Sequence, residues 1–92
     1  MPARVLKVST RVRALIRQLH PNLKRKVRSA LTDILADPAC GKSLKKELEG
    51  YWSLRVGRHR IIYRPIVRGV EVVTLGPWRS IYDEAAHQIL NT

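Results

Sequence analysis

The chain has 92 residues, of which 45% are apolar, and this composition indicates one small globular domain and excludes an intrinsically disordered chain. Eighteen Lys and Arg residues stand against seven Asp and Glu residues, and the formal net charge of +11 predicts a polyanionic partner, either nucleic acid or an acidic protein segment. A single cysteine, Cys40, excludes an internal disulfide and a thiolate zinc site, and the lack of any long apolar run predicts a cytoplasmic protein with no membrane contact.

The N-terminal part of the chain predicts a strand and two helices. The run VLKVS, from Val5 to Ser9, alternates apolar and polar residues as a strand does. Ser9 or Thr10 then caps a helix whose apolar residues recur at helical spacing: Val12, Leu15, Ile16 and Leu19. Pro21 suits the first turn of a second helix, which ends at ADPACG. Two short helices with so brief a break between them predict an antiparallel hairpin.

After the connector KSLKKELEG, the apolar pattern changes from helical spacing to alternation, which predicts strands. The first runs from Tyr51 to Val56 and the second from His59 to Ile66, joined by the turn Gly57-Arg58. Glycine at the first turn position supplies the positive φ of a type II′ hairpin. Pro65 is expected at a bulge or an edge.

A third strand, from Val70 to Leu75, precedes a closing helix with the sequence SIYDEAAHQIL, for which Ser80 is the predicted cap. The predicted element order is therefore β-α-α-β-β-β-α.

The hairpin segment YWSLRVGRHRIIYRP carries four arginines, and its register sets Arg55 opposite Arg60. One predicted face is apolar and must pack on the helices: Trp52, Leu54, Val56, Ile61 and Tyr63. The other holds Tyr51, Ser53, Arg55, Arg60, Ile62 and Arg64. Like charges placed opposite each other weaken a sheet, whereas paired guanidinium groups match phosphate oxygens. Two interpretations stay open, a phosphate clamp and a solvated face on which Glu71 pairs with one arginine.

Four segments together resemble the RelE/ParE superfamily of bacterial toxins, over roughly Val5 to Leu90: VLKVS, QLHPNLKRKV with ALTDILADP, YWSLRVGRHRIIYRP, and GVEVVTLGPWRSIYDEA. The resemblance implies a single α+β domain over residues 1–92, in which a small twisted, mainly antiparallel sheet packs against an N-terminal helical hairpin and a short C-terminal helix follows.

RelE-type members of that superfamily cleave mRNA in the ribosomal A site, with the RNA's own 2′-hydroxyl as nucleophile and without a metal or other cofactor. ParE-type members inhibit DNA gyrase, and both are held inactive by a cognate antitoxin. The short first helix and the break at LHPNLKRK resemble the RelE branch, so the resemblance implies an endoribonuclease that binds the ribosome, mRNA and an antitoxin with an acidic segment. A gyrase inhibitor and a non-catalytic RNA-binding module of the same fold are the alternatives.

The resemblance also implies roles for individual residues. Arg60 matches the arginine that stabilises the transition state, and Tyr82 matches a tyrosine at the start of the last helix. Arg79 is the candidate for a further catalytic arginine, although Trp78 occupies the aligned position. The residues expected to bind RNA are Arg55, Tyr51, Ser53, Arg58 and Trp78.

The general base is not identified by the resemblance. RelE carries two lysines at the positions of Tyr51 and Ser53, and Ser53 is a poor substitute for a lysine that handles protons. The remaining candidates for proton transfer are Tyr82, His59, Asp83, His87 and Tyr51. Histidine is the side chain that most often transfers protons near neutral pH, but the predicted pairing places His59 off the arginine face.

Overall fold

The chain forms one five-stranded mixed sheet with two helices on one face and a third helix on the other. The computed structural model describes residues 4–90, apart from the side chain of Gln88. Its helices and strands are, in chain order, β1 (Val5–Val8), α1 (Thr10–Arg17), α2 (Pro21–Ala36), β2 (Lys42–Ser43), β3 (Trp52–Val56), β4 (His59–Ile66), β5 (Gly69–Pro77) and α3 (Trp78–Leu90). The sheet order is β1-β5-β4-β3-β2, in which β1 runs parallel to β5 and the other neighbours are antiparallel. This confirms the predicted α+β class.

Both N-terminal helices begin where the sequence predicts, because each start is satisfied by a side chain. The Ser9 hydroxyl oxygen accepts a hydrogen bond from the Val12 amide at 3.1 Å. Pro21 occupies the first turn of α2, and His20 Nδ1 accepts from the Asn22 amide at 3.2 Å. His20 therefore caps α2, although histidine is not among the residues that usually cap helices.

The predicted hairpin register is confirmed pair by pair, including Arg55 opposite Arg60 and Trp52 opposite Tyr63. Gly57 has a φ of +60°, and Arg58 keeps a negative φ, as a type II′ turn requires. Pro65 pairs with β5 on one side and lies beyond the end of β3 on the other. Proline is tolerated there because no residue of β3 lies opposite it to accept a hydrogen bond from a backbone amide.

Two local predictions differ from the structure. The connector contains β2, whose two exposed residues pair with Ser53 and Trp52 and carry no alternating apolar signal. The last helix starts at Trp78, so Ser80 lies inside α3 and does not cap it. The sheet pairing continues as far as Pro77 opposite His59, and it leaves no loop before the helix.

The sheet separates two cores of unequal size. The larger one lies against α1 and α2 and consists of Val12, Val27, Ala30, Leu31, Ile34, Val56, Ile61, Tyr63, Val70, Val72 and Leu75. On the other face, α3 covers the sheet through Ile81 and Ala85, which bury Ile62. The face that carries the hairpin arginines is therefore partly covered by the last helix.

Tyr63 connects the sheet to the segment that follows α2. Its hydroxyl group donates to the Pro38 carbonyl at 2.7 Å and accepts from the Gly41 amide at 3.1 Å. Burial raises the pKa of Tyr63 to about 12. A Cβ atom on Gly41 would lie 2.5 Å from the Tyr63 oxygen, so this contact requires glycine at that position.

Candidate functional site

Three side chains from three different elements meet on the sheet face under α3. Arg60 of β4 directs Nη1 to the Ser53 hydroxyl of β3 at 3.4 Å. The Ser53 oxygen lies 3.5 Å from the Tyr82 hydroxyl oxygen of α3. Arg60 and Tyr82 are half-buried, whereas Ser53 is only 1% exposed. The result is a partly sheltered cluster of one cation and two hydroxyl groups.

Arg55 and Arg60 are paired across the strands, but their guanidinium groups have different partners. Arg55 Nε donates to the carbonyl of Gly57 at 3.0 Å, which draws this exposed side chain toward the turn. Arg60 instead turns toward Ser53. Hydrogen bonds in different directions lessen the repulsion that two like charges on facing residues would otherwise cause.

Glu71 forms ion pairs with Lys7 and Arg64. Its carboxylate accepts from Arg64 Nε at 2.6 Å and lies 3.5 Å from Lys7 Nζ. The hydrogen bond to Glu71 raises the pKa of the Arg64 guanidinium. Within residues 4–90, neither Arg55 nor Arg60 forms an ion pair with a carboxylate. The ion pair that the sequence predicted between Glu71 and one hairpin arginine therefore forms with Arg64. Among residues 4–90, Arg60 has no carboxylate partner.

Tyr51 is held by the same Arg64 side chain. Arg64 Nη1 donates to the Tyr51 hydroxyl oxygen at 3.4 Å, and its guanidinium carbon lies 5.6 Å from the ring centre. A cavity of about 330 Å³ opens beside this pair and is bordered by Glu71 and by Ile89 of α3. Tyr51 therefore lies on the predicted face but contacts Arg64, which Glu71 pairs with, and not Arg60.

The remaining candidates surround the hairpin turn. The Trp78 amide donates to the Arg58 carbonyl at 3.2 Å, so the start of α3 is joined to the turn. The Trp78 side chain is 56% exposed, and both Arg58 and Arg79 are exposed. Cations and an aromatic ring thus lie at one end of the sheet, close to where α3 begins.

The other proton-transfer candidates lie apart from the cluster. His59 is opposite Val56 in the register, which confirms that it is off the arginine face. Asp83 and His87 are on the exposed side of α3. Ser53 is the residue whose environment the sequence did not reveal, because alternation predicts its face but not its neighbours: it pairs with Ile62 on one side and with Lys42 of β2 on the other. Its position leaves the hydroxyl group no surface for direct contact with RNA.

In the part of the chain that the structure describes, no three His, Cys, Asp or Glu side chains are grouped closely enough to hold a metal ion. None of the helices over residues 4–90 is both long and apolar enough to cross a membrane.

The chain is similar to one protein family model and to several solved structures. The family model of the ParE toxin of the type II toxin–antitoxin system, parDE, matches residues 6–85. The RelBE2 toxin–antitoxin complex from Mycobacterium tuberculosis is similar at 25% identity and a TM-score of 0.72, over 83% of this chain and 99% of that one. No curated protein matches the sequence significantly.

Two further structures share the fold at lower identity. A mutant of the Escherichia coli toxin RelE in the free state has a TM-score of 0.74 at 19% identity, over 98% of this chain and 97% of that one. The YoeB–YefM complex from Staphylococcus aureus has a TM-score of 0.68 at 19% identity, over 80% of this chain and 95% of that one.

Proposed function

This chain belongs to the ParE toxin family of type II toxin–antitoxin systems, in the RelE/ParE superfamily, and we propose that it acts as a ribosome-dependent mRNA endoribonuclease. Cleavage in the A site would arrest translation and growth. The observation that supports this most directly is the half-buried Arg60, which has no carboxylate partner within residues 4–90 and lies in one cluster with the Tyr82 hydroxyl.

The proposed chemistry is an attack of the RNA 2′-hydroxyl on the adjacent phosphate. The reaction requires cations for the growing negative charge on the phosphate oxygens and groups that transfer protons. Arg60 supplies a planar fork of donors on a rigid strand, and the Tyr82 hydroxyl is joined to it through Ser53. Arg79, at the exposed start of α3, is proposed as a second cation. In this proposal arginine carries the charge stabilisation, and no metal ion takes part.

Substrate binding is assigned to the exposed groups around the turn. Arg55 and Arg58 would bind phosphate groups, and the exposed Trp78 ring offers a surface on which a base can stack. Tyr51 would contribute only if RNA displaced or extended its interaction with Arg64. The predicted direct contact by Ser53 is dropped from the proposal, because the residue is 1% exposed.

A cognate antitoxin is the proposed protein partner. The similar structures of RelBE2 and YoeB–YefM are both complexes with an antitoxin. The net charge of +11 favours an antitoxin whose bound segment is acidic.

Inhibition of DNA gyrase is the second candidate function. The name of the matching family model favours it. Tyr51 and Ser53 favour it as well, because they stand where the RelE resemblance leads us to expect lysines.

The test is to express the chain alone and then to assay the purified protein on both targets. We expect growth arrest with an immediate stop of protein synthesis, and cleavage of mRNA in programmed ribosomes, with no effect on DNA supercoiling by gyrase. Inhibited supercoiling together with intact mRNA would replace the endoribonuclease by the gyrase inhibitor.

A further inference from the structure

Ser53 is a buried polar residue at the centre of the site, and its role is not explained by RNA binding. It is 1% exposed, and its hydroxyl lies between Arg60 Nη1 at 3.4 Å and the Tyr82 oxygen at 3.5 Å. It is therefore the link between the strand arginine and the helix tyrosine. Both distances exceed those of ordinary hydrogen bonds, so the two contacts are weak and set the direction of the groups more than their stability.

The direction of the hydrogen bonds follows from which groups can donate. A guanidinium group has donors and no acceptor, so the Ser53 oxygen must accept from Arg60. The Ser53 hydrogen then needs an acceptor of its own, and Tyr82 Oη is the one that the structure offers within residues 4–90. If Tyr82 donated to Ser53 instead, the buried Ser53 hydrogen would be left unsatisfied, which is unfavourable.

We infer that Ser53 is a positioning residue that turns Tyr82 into a proton donor, and this inference rests on the proposed endoribonuclease function. Arg60 donates to Ser53, Ser53 donates to Tyr82, and the phenol hydrogen is left to point away from the cluster toward the substrate. Ser53 thus acts through Tyr82, while its contact with Arg60 only fixes the direction of its own hydroxyl, and it does not itself contact the RNA.

The corresponding reaction step balances as follows. The 2′-oxygen forms a bond to phosphorus and releases its proton to water, while the bond between phosphorus and the 5′-oxygen breaks. The Tyr82 hydrogen goes to that 5′-oxygen, and water later returns a proton to the phenolate. Ser53 keeps its own hydrogen throughout.

A substrate with sulfur in place of the leaving 5′-oxygen tests the inference, because a thiolate leaves without being protonated. Single-turnover cleavage in programmed ribosomes is measured on the oxygen and sulfur substrates with saturating protein. Ser53→Ala should slow the oxygen substrate about 10-fold, a part of the roughly 100-fold or larger contribution of general acids. The sulfur substrate should be cleaved at nearly the wild-type rate. Tyr82→Phe should show the same selectivity with a larger defect on oxygen.

Thr74→Val is the matched control. Thr74 is also fully buried, and its hydroxyl accepts from Arg11 Nη1 at 3.4 Å, so the variant removes an equivalent hydroxyl–arginine contact away from Tyr82. It should cleave both substrates like the wild type. Ser53→Cys keeps nearly the original volume and serves as a second probe, with an intermediate defect on oxygen alone.

The inference is overturned if Ser53→Ala and Ser53→Cys slow both substrates equally, or slow neither, while the wild type cleaves. A wild-type protein that cleaves no mRNA in the A site would instead overturn the proposed function, and Ser53 would lose its assigned role with it.

Discussion

Arg60 is the residue on which the proposed reaction depends most. Arg60→Ala should reduce single-turnover cleavage by roughly 100- to 1,000-fold, because a donor to the developing phosphate charge is lost. The free energy of unfolding should change by less than about 1 kcal/mol, since Arg60 is half-buried, has one long hydrogen bond and faces Arg55.

Arg68→Ala is the control for that variant. Arg68 follows the other end of β4 and is exposed, so its truncation removes the same charge far from the cluster. Cleavage at saturating protein should stay at the wild-type rate. If the folded Arg60→Ala protein cleaved like Arg68→Ala, the assignment of Arg60 would be wrong.

Tyr63 gives a prediction about stability and pH. Tyr63→Phe leaves the Pro38 carbonyl and the Gly41 amide without their partner, which should cost about 1–3 kcal/mol of unfolding free energy. Burial favours the neutral phenol and raises its pKa to about 12, whereas the unfolded value is the ordinary 10.0. The contribution of this group is therefore complete below the unfolded pKa and is lost as the pH rises through the folded one.

Urea unfolding of both proteins over this alkaline range measures the effect. The difference between wild type and Tyr63→Phe should shrink as the pH rises, because other titrating groups are common to both proteins. A difference that stays constant over the same range would show that folding does not raise the pKa of Tyr63.

At the scale of elements, the hairpin could be predicted almost completely and the last helix only in part. Gly57 fixes the turn, and strict alternation then fixes the side of every residue, because a slip by one position would bury arginines. The site residues Arg60 and Ser53 could thus be placed on one face. The pairing of β2 with Ser53 and the packing of α3 depend on contacts distant in sequence, so the burial of Ser53 and its contact with Tyr82 could not be read from local pattern.

The packing of α3 itself gives a prediction. Ile81→Ala should lower the unfolding free energy by about 2–5 kcal/mol, because Ile81 is fully buried against Ile62. It should also reduce cleavage, since Tyr82 follows Ile81 on the same helix. Leu90→Ala, at a position that is 74% exposed on α3, should leave both quantities unchanged. Full activity of Ile81→Ala would argue against a catalytic role for the docked helix.

At the scale of the whole molecule, the net charge of +11 predicts how an antitoxin affects stability. A bound acidic segment reduces self-repulsion and stabilises the folded state by about 2.7 kcal/mol at a concentration 100-fold above its Kd. We expect the melting temperature to rise on addition of the antitoxin peptide, and to rise less at high salt. An unchanged melting temperature at saturating peptide would contradict the proposed partner.

Because the core is divided unequally between the two faces of the sheet, we expect Arg60, Ser53 and Tyr82 to be together for only part of the time. Two buried residues of α3, Ile81 and Ala85, pack on Ile62 of the sheet, whereas the α1–α2 side contains the larger cluster, so we expect α3 to detach without unfolding of the rest. Each detachment carries Tyr82 away from Ser53 and Arg60, which stay on their strands. Amide hydrogens of α3 should therefore exchange with deuterium sooner than those of β4, and their protection factors would give the fraction of molecules in which the cluster is assembled.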